Sequence, residues 1–291
     1  MTFTSPIALP PYIEDLVSRG ALFVLNHSGG RDSQAMYLRV RKFVPHDQIV
    51  LVHANLGVVE WAGAVAHIKA TTNGERLETC RARRTLLEMI EERGMFPSPT
   101  KRQCTSDLKR GPIEVVIRRL TRERKTQGLE SWALVVNCMG MRAQESSSRA
   151  KLKPFQYSTR NSKANREWYD WLPIHDWKRE HVDAEIAAAG QQPHLVYSLG
   201  MTRFSCCFCI MASEADLKTA ARLATERPEL LNDPHLYRKY VQLERSTGQV
   251  MLMPDKKRGR RTLEEITGVY IDHAPAIAKA SVEMTLEEVA A

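Results

Sequence analysis

The stretch Phe23-Val24-Leu25-Asn26-His27-Ser28-Gly29-Gly30-Arg31-Asp32-Ser33 decides how the rest of the chain is read. Residues 21–25 form a short, wholly apolar run, as a strand buried in a parallel sheet requires. The run breaks at two glycines, and a helical pattern follows at Ala35, Met36, Tyr37 and Val40. Strand, glycine turn and helix together aim backbone N–H groups and a helix N-terminus at an anion. Gly29 and Gly30 would let phosphate oxygens reach the main chain with no Cβ in the way. Ser28 and Ser33 add hydroxyls and Arg31 adds charge, so these five residues are the expected phosphate cradle. No Gly-Lys-[Ser/Thr] closes the loop, which sets it apart from a Walker A loop.

Working outward, residues 48–53 are a second apolar strand, and the alternation predicts a parallel sheet with crossover helices. Ligands sit at the carboxyl ends of such strands, so His53 and Asn55 are expected to border a nucleotide base or ribose. Residues 76–93 read as one long helix closed by Gly94, with Cys80 in step with Leu77 and Leu87 as a small core residue. Pro112 stands where a first helical residue belongs, and Ile113, Val116, Ile117 and Leu120 give the stripe of the helix that follows.

Residues 131–138 are another apolar strand, running into Gly140-Met-Arg142-Ala-Gln-Glu145. An arginine and a carboxylate at that strand end suit phosphate and magnesium, or else Arg142 and Glu145 pair with each other. Cys138 reads as strand packing close to the same end. Residues 154–167 read as a polar, basic, flexible segment able to close over a substrate, and the tryptophans at 168, 171 and 177 as packing rather than stacking platforms.

Cys206-x-x-Cys209, with Cys207 between, places thiolates within reach of one metal or cluster, and Cys104 in its basic loop is the distant partner. Spacing alone does not separate zinc, an iron–sulfur cluster and a redox dithiol. Beyond them, Ser213 with Asp216 and Thr262 with Glu265 resemble helix-capping boxes, and a further helix is expected near residues 236–245.

The chain has 291 residues, enough for one large α/β domain with an appendage. Its 43% hydrophobic and 26% charged content is ordinary for a soluble globular protein, and no run is long and apolar enough to span a membrane. The first residues lack a basic region followed by an apolar core, so the expected compartment is the cytoplasm. Six cysteines there read as ligands or reactive thiols rather than disulfides. A net charge of +8 is clumped at 118–125, 160–166 and 256–261, which fits either a nucleic-acid partner or a solvated basic face.

Ser28-Gly-Gly-Arg-Asp-Ser33 resembles the PP-loop of the ATP pyrophosphatases and sulfate-assimilation reductases. Cys104-Thr-Ser-Asp-Leu-Lys109, Gly140-Met-Arg142-Ala-Gln-Glu145-Ser146, Pro173-Ile-His-Asp-Trp177 and Arg203-Phe-Ser-Cys206-Cys-Phe-Cys209 follow in order. Together they resemble the phosphoadenylylsulfate-reductase-like branch of PP-loop proteins over residues 22–210. The resemblance implies a doubly wound parallel α/β sheet of the PP-loop kind in residues 1–212, carrying a cysteine metal site. Residues 213–291 would be a helical, basic C-terminal extension.

Sulfonucleotide reductases carry a nucleophilic cysteine near their C-terminus, whereas no cysteine follows Cys209 here. The resemblance therefore leans to ATP pyrophosphatases of nucleic-acid thiolation, nearest to DNA phosphorothioation, with tRNA as the less favoured target. It implies ATP with Mg²⁺, Asp32 helping to hold the metal, and Lys109, Arg142 and Arg149 stabilising charge at the α-phosphorus. Gly140 and Glu145 would join the nucleotide site. Cys104, Cys206, Cys207 and Cys209 would hold a 4Fe–4S cluster, or zinc as the alternative. A sulfur donor such as a cysteine desulfurase is the implied partner. Reduction of adenylylated sulfate by an external thiol protein, and a zinc-stapled nucleic-acid-binding module without catalysis, are the competing readings.

Overall fold

The structure, a computed structural model, describes residues 10–271. The last twenty residues of the expected extension lie outside that span.

In chain order the elements are α1 (Pro11–Ser18), β1 (Leu22–Asn26), α2 (Arg31–Arg41), β2 (Ile49–Ala54), α3 (Ala64–Thr71), β3 (Leu77–Cys80) and α4 (Leu86–Arg93). There follow α5 (Gln103–Thr105), α6 (Gly111–Thr126), β4 (Leu134–Met139), α7 (Ser147–Ala150), β5 (Phe155–Tyr157), β6 (Glu167–Trp171) and α8 (Arg179–Ala188). The chain then closes through α9 (Glu214–Glu226), α10 (Leu236–Thr247) and α11 (Leu263–Thr267). One six-stranded sheet has the order β3-β2-β1-β4-β6-β5, parallel except for the edge strand β5. It is the doubly wound α/β sheet expected, with the strand order reversing between β1 and β4.

Strand side chains alternate between two apolar layers. Phe23 and Leu25 join α1, α2 and α8 through Leu16, Met36 and Val182. Leu22 and Val24 face α6 through Val116, Ile117 and Leu120. A third layer binds residues after 212 to the body: Trp61, Met89 and Phe208 pack with Leu217, Tyr240 and Leu263. Phe208 and Tyr240 are each 1% exposed, so truncating either would cost about 3–5 kcal/mol.

Two expectations are corrected. Residues 76–93 are not one helix, because Leu77–Cys80 pair with β2 in register Leu51↔Leu77 to Ala54↔Cys80. The helix begins only at Thr85, whose hydroxyl accepts from the Glu88 N–H while Glu88 accepts from the Thr85 N–H. Cys80 is thus a strand residue beside the α6 layer, where burial pushes its thiol up to about 11. Nor is 154–167 a free flap: Phe155–Tyr157 zip antiparallel onto β6, and Phe155 stacks between Tyr12 and Tyr169. The tryptophans do pack, Trp168 and Trp171 within the sheet layers and Trp177 beside them. The capping box at Thr262 forms as expected, Ser213 caps its helix through the Asp216 N–H without the reciprocal half of a box, and the 236–245 helix is α10, closed by left-handed Gly248.

Candidate active site

β1 and β4 pair to their carboxyl ends, and the segments that leave them there border the cleft. Asn26 donates to Asn137 Oδ1 at 2.7 Å and to the Cys138 carbonyl at 2.7 Å, which ties the two strand ends together. Gly140 follows β4 against the first turn of α2; a Cβ there would lie 2.8 Å from the Asp32 carbonyl oxygen, so only glycine fits. The result is a cleft of about 390 Å³ bordered by Ser28, Gly30, Arg31, Asp32, Ser33, Gly140, Arg142, Glu145 and Arg149. These are nine of the residues expected from the sequence, and Gly29 (φ +83°) forms the loop's left-handed turn.

The loop's amides are already engaged. The Ser28 N–H donates to Ser33 Oγ (3.2 Å), Gly29 to His27 Nδ1 (3.1 Å) and Gly30 to Ser28 Oγ (3.3 Å). The Arg31 N–H donates to the Tyr197 hydroxyl at 3.2 Å. Phe204 covers the glycines, its Cβ 2.9 Å from where a Gly30 Cβ would stand. The open cup expected from the sequence is therefore a capped one. A phosphate oxygen bonding the Arg31 amide would take the place of the Tyr197 hydroxyl. Burial, then His53 and His67, pulls His27 down to about 3, so its imidazole is neutral and Nδ1 is free to accept.

Charges around the cleft are paired. Arg142 Nε donates to Asp32 Oδ1 at 2.6 Å, and Arg142 also reaches Gln144. Glu145 accepts from the Arg142 N–H (3.1 Å) and ion-pairs with Arg149. The two alternatives for Arg142 and Glu145 thus resolve into two separate pairs. Arg31 lies over the Tyr197 ring at 3.4 Å and near Asp183 (3.5 Å), which also holds Arg179 (2.8 Å). Arg203 borders the cleft with only the Met211 carbonyl as a partner (3.4 Å). Burial raises the Asp32 carboxyl although Arg142 opposes it, and Asp32 Oδ2 carries none of these bonds. His175, from the Pro173–Trp177 motif, clamps the segment by meeting the Arg149 carbonyl at 2.9 Å while its own carbonyl accepts from Ala143.

The segment from Arg203 to Cys209 leads from the cleft to the thiols. Cys206 lies within electrostatic reach of Cys104, Cys209 and Lys109, and burial pushes its thiol up to about 12. Cys209 accepts from the Met211 N–H at 3.4 Å. Cys207 is buried beside Cys206 and bears on the Tyr240 hydroxyl, with its N–H on the Val59 carbonyl (2.9 Å). Cys104, Cys206 and Cys209 bear on one another, and all four thiols bear on the buried Tyr240 hydroxyl. Among the described residues no three His, Cys, Asp or Glu side chains are arranged to hold a single ion. A zinc site would need sulfurs about 3.8 Å apart, from Zn–S bonds of ~2.3 Å in a tetrahedron.

Three expected residues lie elsewhere. Lys109 is beside the thiols rather than in the cleft. His53 is buried beneath the loop, 3.0 Å from the His27 carbonyl and 3.3 Å from a Glu60 oxygen. Asn55 accepts from the Gly57 N–H (2.7 Å) and borders a separate small cavity of about 50 Å³. Cys138 is buried in the α2 layer. Conversely, Tyr197, Phe204, Arg179 and Arg203 border the cleft unforeseen. Only Arg203 and Phe204, in the quoted cysteine motif, carried any signal.

A model of the phosphoadenosine phosphosulfate reductase domain matches residues 23–212. The chain belongs to this family. The matched span takes in the cleft and the thiols and ends before α9. A curated relative, an uncharacterized 37.8 kDa protein of Escherichia phage 186, is 27% identical over 184 residues, which is 62% of this chain and 51% of that protein. The chain thus spans about half the length of that relative. Among solved structures, the phosphoadenylyl-sulfate reductase of Candida auris in a phosphate complex matches 69% of this chain and 89% of its own, at 11% identity and TM-score 0.42. Candida glabrata FMN adenylyltransferase with FMN and an ATP analogue matches 64% and 54%, at 13% identity and TM-score 0.38. No helix among the described residues is long and apolar enough to cross a membrane.

Proposed function

We propose that this member of the reductase-domain family is an ATP pyrophosphatase that adenylylates a nucleic-acid oxygen, DNA before tRNA, so that sulfur can replace it. The observation that supports this reading is a phosphate-sized cleft with five arginines, joined by the short 203–209 segment to three converging thiols. An acceptor oxygen attacks the α-phosphorus, the bond to the β-phosphate's bridging oxygen breaks, and pyrophosphate leaves. Sulfur at the sulfide level then displaces AMP, which departs with the acceptor's oxygen.

Ser28, Ser33 and the first turn of α2 hold the phosphates, because first-turn amides have no partner within the helix. Arg149 and Arg203 face charge developing on the α-phosphate and the leaving group. Arg142 holds Asp32, which borders the cleft, through Oδ1 and leaves Oδ2 free of that bond. Asp32 fits Mg²⁺, since that ion takes one or two carboxylates plus phosphate oxygens, and it would neutralise the leaving pyrophosphate. Cys104, Cys206 and Cys209 would hold an iron–sulfur cluster, which supplies a docking point for sulfur from a donor such as a cysteine desulfurase.

The test is cleavage of ATP labelled at the α-phosphate, with Mg²⁺ and duplex DNA. AMP and pyrophosphate in equal amounts are expected; ADP and phosphate would sink the reading. The family match itself favours a second reading, reduction of a sulfonucleotide. Sulfite released from phosphoadenylylsulfate with a thioredoxin-type thiol would decide for it.

A further inference from the structure

Two basic stretches far apart in the chain lie side by side on the flank of the sheet. One is on α6, where Glu114, Arg118 and Arg122 follow each other at four-residue steps along one line. The other is the turn between β5 and β6, carrying Arg160, Lys163 and Arg166. Buried Glu114 joins them: it ion-pairs with Arg160, accepts from Asn161 at 3.4 Å and lies 3.8 Å from Arg118. Among the described residues Glu114 is the carboxylate paired with Arg118 and Arg160, while Arg122, Lys163 and Arg166 form no ion pair.

Arg166 is the telling member. It is half-buried, and its Nε is shielded from water with no hydrogen-bond partner. Burial lowers its pKa, and Arg118 and Arg122 lower it further, so three guanidiniums repel one another at close range. On an ordinary solvated face, long side chains would spread apart; a half-buried Arg166 cannot. The third basic stretch is different. Arg258 and Arg261 both pair with Glu214, and Arg260 donates to the Gly248 carbonyl.

We propose that the Arg118–Arg122–Arg166 face binds the phosphate backbone of double-stranded DNA and feeds the duplex along α6 toward the thiols. From Arg118 to Lys125 the helix rises about 10 Å at ~1.5 Å per residue, which spans about three base-pair steps at ~3.4 Å. Guanidinium forks match phosphate oxygens in pairs. α6 continues directly from the helical turns of residues 103–110 that bear Cys104 and Lys109, so a strand followed along it leads to the cysteine site. The choice of DNA rests on the proposed function; the surface itself does not.

The test is binding of a short labelled duplex by fluorescence anisotropy over a salt series. Two variants are compared with wild type, R122Q/R166Q and, as a control of equal charge, K256Q/K257Q. R122Q/R166Q should bind at least about tenfold more weakly at low salt, with the slope of log K against log salt reduced by about 2, since each phosphate contact contributes ~0.9. The control should behave as wild type, and both variants should keep wild-type melting and DNA-independent ATP cleavage. Equal loss in the two variants, an unchanged slope, or tighter binding of an RNA hairpin than of DNA would overturn the proposal. Cleavage of ATP without DNA binding would sink the surface alone. Selective DNA loss in a protein that makes no AMP would sink the proposed function alone.

Discussion

The cleft and the thiol pocket lie at the two ends of the same short segment, yet they are built on opposite principles. In the cleft, Asp32, Glu145 and Asp183 each hold an arginine, so charge is kept close to water and balanced pair by pair. In the pocket, Cys206 is sunk among Phe208, Leu217 and Tyr240, and burial holds its thiol in the neutral form. A polar site of this kind tolerates ligand exchange, because each ion can trade its partner for a phosphate or a metal. Buried thiols instead stay neutral until a positive charge is brought beside them.

Arg142→Ala should produce the largest effect and would break the charge balance of the cleft. It leaves a raised, partly buried Asp32 unpaired, costing about 2–3 kcal/mol in urea unfolding. AMP formation should fall about 100-fold or more as the carboxylate loses its orientation. A variant with near-normal turnover would mean the pair is only structural.

The pocket is sharpened by comparing two cysteines. After anaerobic iron and sulfide loading, Cys104→Ala should lose most of its iron, while Cys207→Ala should retain most. Equal losses would show that Cys207 turns inward when a cluster is present.

His27 gives a pH signature to the loop's underside. Its folded pKa, about 3, lies below the unfolded value of 6.5, so the unfolded chain binds the extra proton between these values. Stability is therefore full above pH ~6.5 and falls as pH drops toward His27's folded pKa, by about 3 kcal/mol between pH ~6.5 and ~4. His67, lowered to about 4, adds in the same direction. His27→Asn, which can still offer an acceptor to the Gly29 N–H, should remove roughly half of that acid slope in urea midpoints. An unchanged slope would place the titration elsewhere.

The smallest expected effect is Tyr197→Phe. Freeing the Arg31 N–H from its hydroxyl should tighten ATP binding about two- to fivefold, the worth of one exchanged hydrogen bond. Weaker binding would make the hydroxyl a ligand contact rather than a competitor.

Some of this was legible in the chain. The β1 run, the glycine turn and the start of α2 are local, and they formed as their residues dictate. The α6 stripe and the caps of α9 and α11 were equally readable, since each is settled within a few residues, but the start of α6 was not, because helical backbone already runs through Arg110 and Gly111 ahead of Pro112. The Leu77–Cys80 strand was not, because its four residues carry no strand pattern of their own and are extended only by pairing with β2. Tyr197 was invisible for a related reason: a single tyrosine before a glycine says nothing of the amide its hydroxyl will meet.

Sequence alone determined the parallel α/β plan, the phosphate-type loop and which cysteines could act together, because each rests on residue types at short, regular spacing. Tertiary structure decided which partners those residues took: Asp32 with Arg142, Arg31 with Tyr197, Cys104 beside Cys206 and Cys209, and two basic stretches joined through Glu114. Partnership is a matter of distance through space, and distance between remote residues exists only once the chain has folded.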